Sequence, residues 1–207
     1  MFYTAKTPGW LRKLFSGSIW EINGSQKSIY LSFDDGPHPV ITPFVLDELK
    51  KYNALATFFC IGKNVVENPL IFNRIQEEGH AVGNHTYNHL NGWKTPQSEY
   101  LQNIAQAAEH IDSHLFRPPY GRITAKQHKA LRQFNKPFKV VMWSVLSGDF
   151  DVNISPEQCC KNVLKNAESG SVIVFHDSEK AYERLKYALP VVLAYFSEKG
   201  YRFEKIV

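Results

Sequence analysis

Ser28-Ile29-Tyr30-Leu31-Ser32-Phe33-Asp34-Asp35-Gly36-Pro37 is the stretch that decides how this chain is read. Its apolar-rich first half predicts a short buried strand. That strand ends on two adjacent carboxylates. Gly36 tolerates a positive φ and Pro37 cannot continue a ladder, so the chain turns there. Two neighbouring acids at the end of a buried strand are costly unless something cationic compensates them. A metal ion is one such compensator.

Outward from that stretch, strand-like and helix-like segments alternate. Residues 28–33 precede a helical stretch at 41–52, with Val45, Leu46 and Leu49 on one side. Residues 57–61 read as a strand, and 69–78 as a helix with Pro69 at its first position. A short, partly apolar piece at 80–84 is followed by a helix at 98–111 and a brief extended piece at 114–116. Thr124 can cap a helix reaching about residue 134. Residues 139–143 are β-rich, and Ser155 and Pro156 open a helix to about residue 167. A fully apolar strand at 171–175, a long helix at 181–199 and a last extended piece at 201–203 complete the chain.

Such alternation means parallel strands joined by crossover helices. It predicts an α/β fold, a distorted (β/α) barrel of about seven strands in a single domain. A doubly wound open sheet is the alternative. The polar residues favour the barrel. Asp34, Asp35, His85, Arg117, Asp149 and His176 all follow predicted strands. In β/α barrels the chemistry gathers at strand C-terminal ends, whereas an open sheet gathers ligands over fewer strands near a switch point.

Composition narrows the function classes. The 207 residues, 43% of them hydrophobic, suit one domain with a sizeable core. The net charge of +4 is spread along the chain, without the concentrated basic stripe of a nucleic-acid binder. The locally basic segment from Lys126 to Lys139 reads as a solvated helix face and loop. Cys60 reads as a buried thiol, and adjacent Cys159 and Cys160 lack metal spacing, a usage that suits a reducing compartment. Lys6, Arg12 and Lys13 interrupt the first twenty residues, so neither a signal peptide nor a transmembrane helix is predicted. A cytoplasmic location is the resulting expectation. Residues 1–27 are read as an extension packed on a domain of residues 28–207, with Trp10, Leu11, Leu14 and Phe15 forming a short amphipathic turn.

His85 and His89 stand at i and i+4, which predicts two imidazoles on one side of a helical turn. Joined by an acid from the first stretch they form a three-ligand site with a position open for water, as for catalytic Zn²⁺ or a related ion. The same donor set suits a non-haem Fe(II) oxygenase. Arg117-Pro118-Pro119-Tyr120-Gly121 predicts a rigid loop presenting Arg117 and the amides after the prolines. His176 ends a buried strand and is a candidate general acid, because its unperturbed pKa lies near working pH. Asp149 is a candidate to orient it, with Asp151 as a rival, and Asp177 reads as a helix cap. His80, His110, His114 and His128 read as surface or packing residues, Trp93 as a loop anchor, and Trp20 and Trp143 as core.

Taken together and in order, Ser32–Pro37, His85–His89, Arg117–Gly121, Trp143–Phe150 and Val174–Asp177 resemble the motifs of polysaccharide deacetylases, the carbohydrate esterase family 4 type with the NodB homology domain. The resemblance runs from about Ile29 to the C-terminus and implies the same distorted barrel. It also implies a metal-dependent hydrolase that removes N-acetyl groups from amino sugars in peptidoglycan or chitin-like saccharides, giving acetate and a free amine. By the same resemblance, Asp35, His85 and His89 hold one divalent ion, zinc by default, with Co, Mn, Ni or Fe able to take its place. Asp34 is then the general base and Arg117 its partner. The Tyr120 amide supports the oxyanion, and His176, backed by Asp149, is the acid. Many members have Asp where Leu146 stands, Trp where Phe150 stands and Leu where Val174 stands. An O-acetyl esterase acting on acetylated xylan and a non-catalytic carbohydrate-binding relative are the alternatives. The expected partner is a carbohydrate, not a nucleic acid.

Overall fold

The computed structural model describes residues 3–24 and 27–207. The apolar runs become strands β1 (Ser28–Asp34), β2 (Ala56–Cys60), β3 (Ala81–Asn84), β4 (Leu115–Phe116), β5 (Lys139–Val140), β6 (Val145–Leu146), β7 (Val172–His176) and β8 (Arg202–Phe203). The sheet order is β5-β4-β3-β2-β1-β7-β6, and β8 pairs with the start of β1. All of these pairings are parallel. The order is cyclic, following the chain around a ring that opens only between β5 and β6. A doubly wound sheet would instead reverse its order at an internal switch point. The chain is therefore a distorted (β/α) barrel, curled rather than closed.

Helices α1 (Gly9–Leu14), α2 (Ile41–Lys51), α3 (Gly62–Glu67), α4 (Pro69–Glu77), α5 (Gln97–Ala108), α6 (Ala125–Ala130), α7 (Pro156–Asn166) and α8 (Tyr182–Glu198) supply the outer layer. Their starts follow local chemistry. Pro69 and Pro156 occupy first turns, where the missing N–H costs nothing. The Ser155 side chain accepts the Gln158 amide, and Thr124 forms a reciprocal capping box with Gln127. No helix among the described residues is long and apolar enough to cross a membrane.

A parallel sheet covered on both faces needs strands that are apolar almost throughout. Ile29, Leu31 and Phe33 of β1 are completely buried among residues of α2, α7 and α8. Phe33 stacks on Phe58 at 5.1 Å and on Phe175 at 6.1 Å, tying β1 to both neighbours. Cys60, Cys159 and Cys160 are all free and buried.

The gap between β5 and β6 is spanned by the N-terminal segment. The Ile19 amide donates to Val140 O (2.8 Å), and the Met142 amide donates to Ile19 O (2.7 Å). On the far side, the Leu146 amide donates to Ala5 O (2.8 Å) and the Thr7 amide to Ser144 O (2.9 Å). The extended reading of 139–143 therefore shortens to β5, because Met142 bonds the segment rather than the sheet. β6 is a strand too short for periodicity to reveal. Leu11 and Phe15 pack against the second core cluster around Trp20, while Trp10 is exposed. The Leu14 side chain lies outside the described residues.

Candidate active site

β1 delivers Asp34 to the rim, and the next residue leaves the strand. Asp35 has φ +84°, in the left-handed region that Asp tolerates better than most residues. This turn interrupts the alternation of side chains, and both acids line one cavity of about 460 Å³. The turn is braced from several sides. Asn64 Nδ2 donates to Asp35 O (2.7 Å), and the Gly36 amide donates to Asp177 Oδ1 (3.0 Å). Asp177 also accepts from the Thr42 hydroxyl. It is not a helix cap: α8 begins at Tyr182, after Ala181. Gly36 has no room for a side chain, since a Cβ there would sit 2.0 Å from Asp177 Oδ2.

Arg117 is wholly buried and spends its donors on fixed acceptors. Nη1 donates to Asp34 Oδ1 and to Ser32 Oγ, both at 2.7 Å, Nη2 to Met142 O (2.9 Å) and Nε to Val141 O (3.2 Å). Its guanidinium lies 4.0 Å from the Phe59 ring centroid. A charge so deeply buried is tolerable only with such complete pairing. The pairing fixes the Asp34 carboxylate against a rigid partner.

The two histidines reach the cavity by a route the i,i+4 spacing does not foresee. Residues 85–89 form no helix; Thr86 and His89 both have positive φ, at 64° and 56°. The loop is held by asparagines instead. Asn84 Oδ1 accepts the Thr86 amide (2.8 Å), and Asn103 Oδ1 on α5 accepts the Tyr87 and Asn88 amides (2.9 and 3.0 Å). His85 Nδ1 lies 2.8 Å from Arg117 O. A carbonyl only accepts, so Nδ1 carries the hydrogen and Nε2 keeps a lone pair. Burial lowers the His85 pKa to about 4, which keeps the ring neutral.

His85 Nε2 and His89 Nε2 lie 3.8 and 3.2 Å from Asp35 Oδ1. One ligand atom from each residue falls within 4.8 Å of the others. Asp35 Oδ1 is buried with no hydrogen-bond partner. Burial pushes the Asp35 pKa up, but His89, His176 and His85 outweigh it and hold the carboxylate ionised, well below the usual range. A buried orphan carboxylate oxygen facing two imidazole nitrogens is a donor set that fits a divalent cation.

Beside Asp34 in the parallel β1–β7 register, His176 ends β7 and lines the same cavity. Its Nδ1 lies 2.8 Å from Asp149 Oδ1, and its backbone amide donates to Asp149 Oδ2 at 2.6 Å. Nδ1 is thereby committed to the carboxylate, leaving Nε2 free. Burial works against the charged ring, but Asp149, with Asp35 and Asp34 behind it, raises the pKa to about 10. Asp151 is bonded elsewhere, to the Tyr3 hydroxyl (3.1 Å) and to Asn153. In the Pro-Pro loop, the Gly121 and Arg122 amides donate to Pro118 O and Pro119 O. Tyr120 itself takes a positive φ of 61° in this turn. The Tyr120 ring stands 4.7 Å from that of His89.

Three contributors were not foreseen in the sequence. Trp143, read as core, is half-buried and lines the cavity against Gly121, where a Cβ would approach it to 2.6 Å. Asn103 carries no motif and is found only through its contact with the histidine loop. Tyr3 arrives from the N-terminal segment.

Comparison with known proteins agrees with this geometry. A family model described as polysaccharide deacetylase matches residues 21–138. A peptidoglycan-N-acetylglucosamine deacetylase of Bacillus cereus is 35% identical over 190 residues, covering 89% of this chain and 88% of that protein. A chitooligosaccharide deacetylase of Azorhizobium caulinodans is 40% identical over 169 residues, covering 78% of this chain and 79% of that protein. A solved peptidoglycan N-acetylglucosamine deacetylase in complex with 4-naphthalen-1-yl-N-oxidanyl-benzamide superposes with a TM-score of 0.86 at 33% identity, covering 97% and 95% of the two chains. With motifs, fold and relatives in agreement, this chain belongs to the polysaccharide deacetylase family.

Proposed function

We infer that this protein is a metal-dependent hydrolase that removes N-acetyl groups from amino sugars in poly- or oligosaccharides, releasing acetate and a free amine. The observation that carries the reading is a single cavity holding two differently equipped groups of residues. Asp34, pinned by Arg117, adjoins the Asp35–His85–His89 donor set, and His176, pinned by Asp149, lines the same cavity from the next strand. The names of the relatives point the same way, toward peptidoglycan or chitooligosaccharide.

Asp35, His85 and His89 would hold the cation, and two imidazoles with one carboxylate suit zinc first. The ion would contribute Lewis acidity toward the acetamide carbonyl and make water a better nucleophile at neutral pH. The chain supplies the rest. Asp34 takes a proton from the attacking water, its carboxylate held still by Arg117. The Tyr120 amide donates to the carbonyl oxygen as negative charge develops there. His176 gives its proton to the nitrogen as the carbon–nitrogen bond breaks, which an amide requires because its nitrogen leaves poorly unprotonated. An oxygenase would share the donor set but has no use for an acid and a base beside it.

The test is acetate release from N-acetylglucosamine oligomers by the parent chain, the chelated chain and Asp34→Asn. Chelation is expected to abolish turnover and metal to restore it, and Asp34→Asn to cost roughly 10²-fold or more in kcat. An Asp34→Asn variant as fast as its parent would remove the base from the scheme.

A further inference from the structure

We propose that Tyr3 is a specificity-determining residue: its ring completes, with Phe150, the apolar wall that limits the acyl group, so the N-terminal segment is part of the substrate site. The proposal rests on the deacetylase reading and goes beyond it, because Tyr3 belongs to none of the five motifs and precedes the residues 21–138 that the family model matches.

The cavity lining divides by chemistry. Asp34, Asp35, His85, His89 and His176, with Arg122 and Lys180, are its ionisable groups; Tyr3, Trp143, Leu146, Phe150 and Val174 form its apolar side. An amide whose carbonyl faces the Asp35–His85–His89 set, and whose nitrogen faces His176, turns its acyl chain toward the apolar side. A methyl group gains by leaving water there, and a longer chain is excluded only if the wall is firm.

Tyr3 makes it firm. Its ring meets Phe150 at 5.2 Å with a 56° tilt. Phe150 in turn meets the His176 ring edge-on at 5.3 Å. The Tyr3 hydroxyl donates to Asp151 Oδ2 at 3.1 Å. Gly148 leaves room for this packing: a Cβ there would stand 2.8 Å from Tyr3 Oη. Burial and Asp151 raise the phenol pKa to about 12, so the donor keeps its hydrogen at any working pH. Two residues on, Ala5 O accepts the Leu146 amide, which moors this end of the segment to another part of the same wall.

The experiment uses the full metal-loaded chain and its Tyr3→Ala and Tyr3→Phe variants. Each is assayed for kcat/KM on glucosamine tetramers carrying N-acetyl, N-propionyl or N-butyryl groups. Tyr3→Ala is expected to raise the butyryl-to-acetyl ratio by about fivefold or more, and Tyr3→Phe, which keeps the ring, to stay within about twofold of the parent. A residue that only supports the fold would lower all three rates together. An unchanged ratio in Tyr3→Ala therefore overturns the proposal. Should Tyr3→Ala melt below the assay temperature, Tyr3→Leu is read in its place, with the same sign expected and the same result overturning it. A parent that hydrolyses none of the three substrates refutes the deacetylase reading, and the acyl-wall proposal falls with it.

Discussion

Asp149 is completely buried, and both of its carboxylate oxygens are directed at His176, one at the ring and one at the backbone amide. The neighbouring charge, rather than burial, sets the protonation of that ring. Asp149→Asn preserves the shape and an acceptor for Nδ1–H but removes the charge. Desolvation then prevails, and the His176 pKa falls from its raised position near 10. If the protonated ring is the working form, activity is lost as pH rises through that pKa. The alkaline limb of the kcat/KM profile should therefore move at least about one unit toward acid in Asp149→Asn, with the acid limb unmoved. An alkaline limb that stays in place would assign it to another group. At this scale the sequence was informative wherever a side chain follows a buried strand, because strand ends leave few other places to point. Asp177 shows the limit: it follows β7 as a cap would, but the long-range hydrogen bonds to Gly36 and Thr42 have no signature in its neighbourhood.

Elements carry their own local logic, which can be tested without reference to catalysis. The capping box at the start of α6 pairs Thr124 Oγ1 with the Gln127 amide at 3.2 Å, and the Gln127 side chain with the Thr124 amide at 2.9 Å. Thr124→Ala should cost about 1 kcal/mol in denaturant unfolding. Gln127→Ala should cost more, about 2 kcal/mol, because Gln127 Nε2 also donates to the buried-loop carbonyl of Gly92 at 2.9 Å. Equal costs would mean that the tie to the loop contributes nothing. The strand–helix alternation was legible because a covered parallel sheet demands continuous apolar runs, as in Val172–Phe175. The His85–His89 loop was not, because it takes positive φ at Thr86 and His89 and is held partly from outside, by Asn103 on α5. The spacing of the histidines still indicated a shared ligand, although the helix that was to explain it does not exist.

For the molecule as a whole, acid sensitivity has an identifiable source. His80, between α4 and β3, accepts the Ala56 amide on Nδ1 (3.2 Å) and lies edge-on to Phe58 at 5.4 Å. Burial depresses its pKa from 6.5 to about 4. The unfolded chain therefore binds more protons than the folded one between those values, so stability is complete above about pH 6.5 and is lost as pH falls toward 4. The loss attributable to this residue is up to about 3 kcal/mol. His80→Asn, which keeps an acceptor but cannot titrate, should make the stability curve shallower across that window by this residue's share, leaving the share of His85, whose pKa burial also lowers to about 4; an equally steep curve in the variant would place the acid sensitivity elsewhere. The cyclic order of strands was readable in outline from the chain, but the seam between β5 and β6 was not, since nothing in residues 3–22 alternates like a strand.

The seam has a consequence for how the protein is made. A ribosome releases residues 3–22 well before their partners: the carbonyls and amides they grip, on Val140, Met142, Ser144 and Leu146, emerge more than a hundred residues later. That segment must therefore wait, solvated, for more than a hundred further residues to appear, and closing the ring by so distant a pairing is a late and slow event.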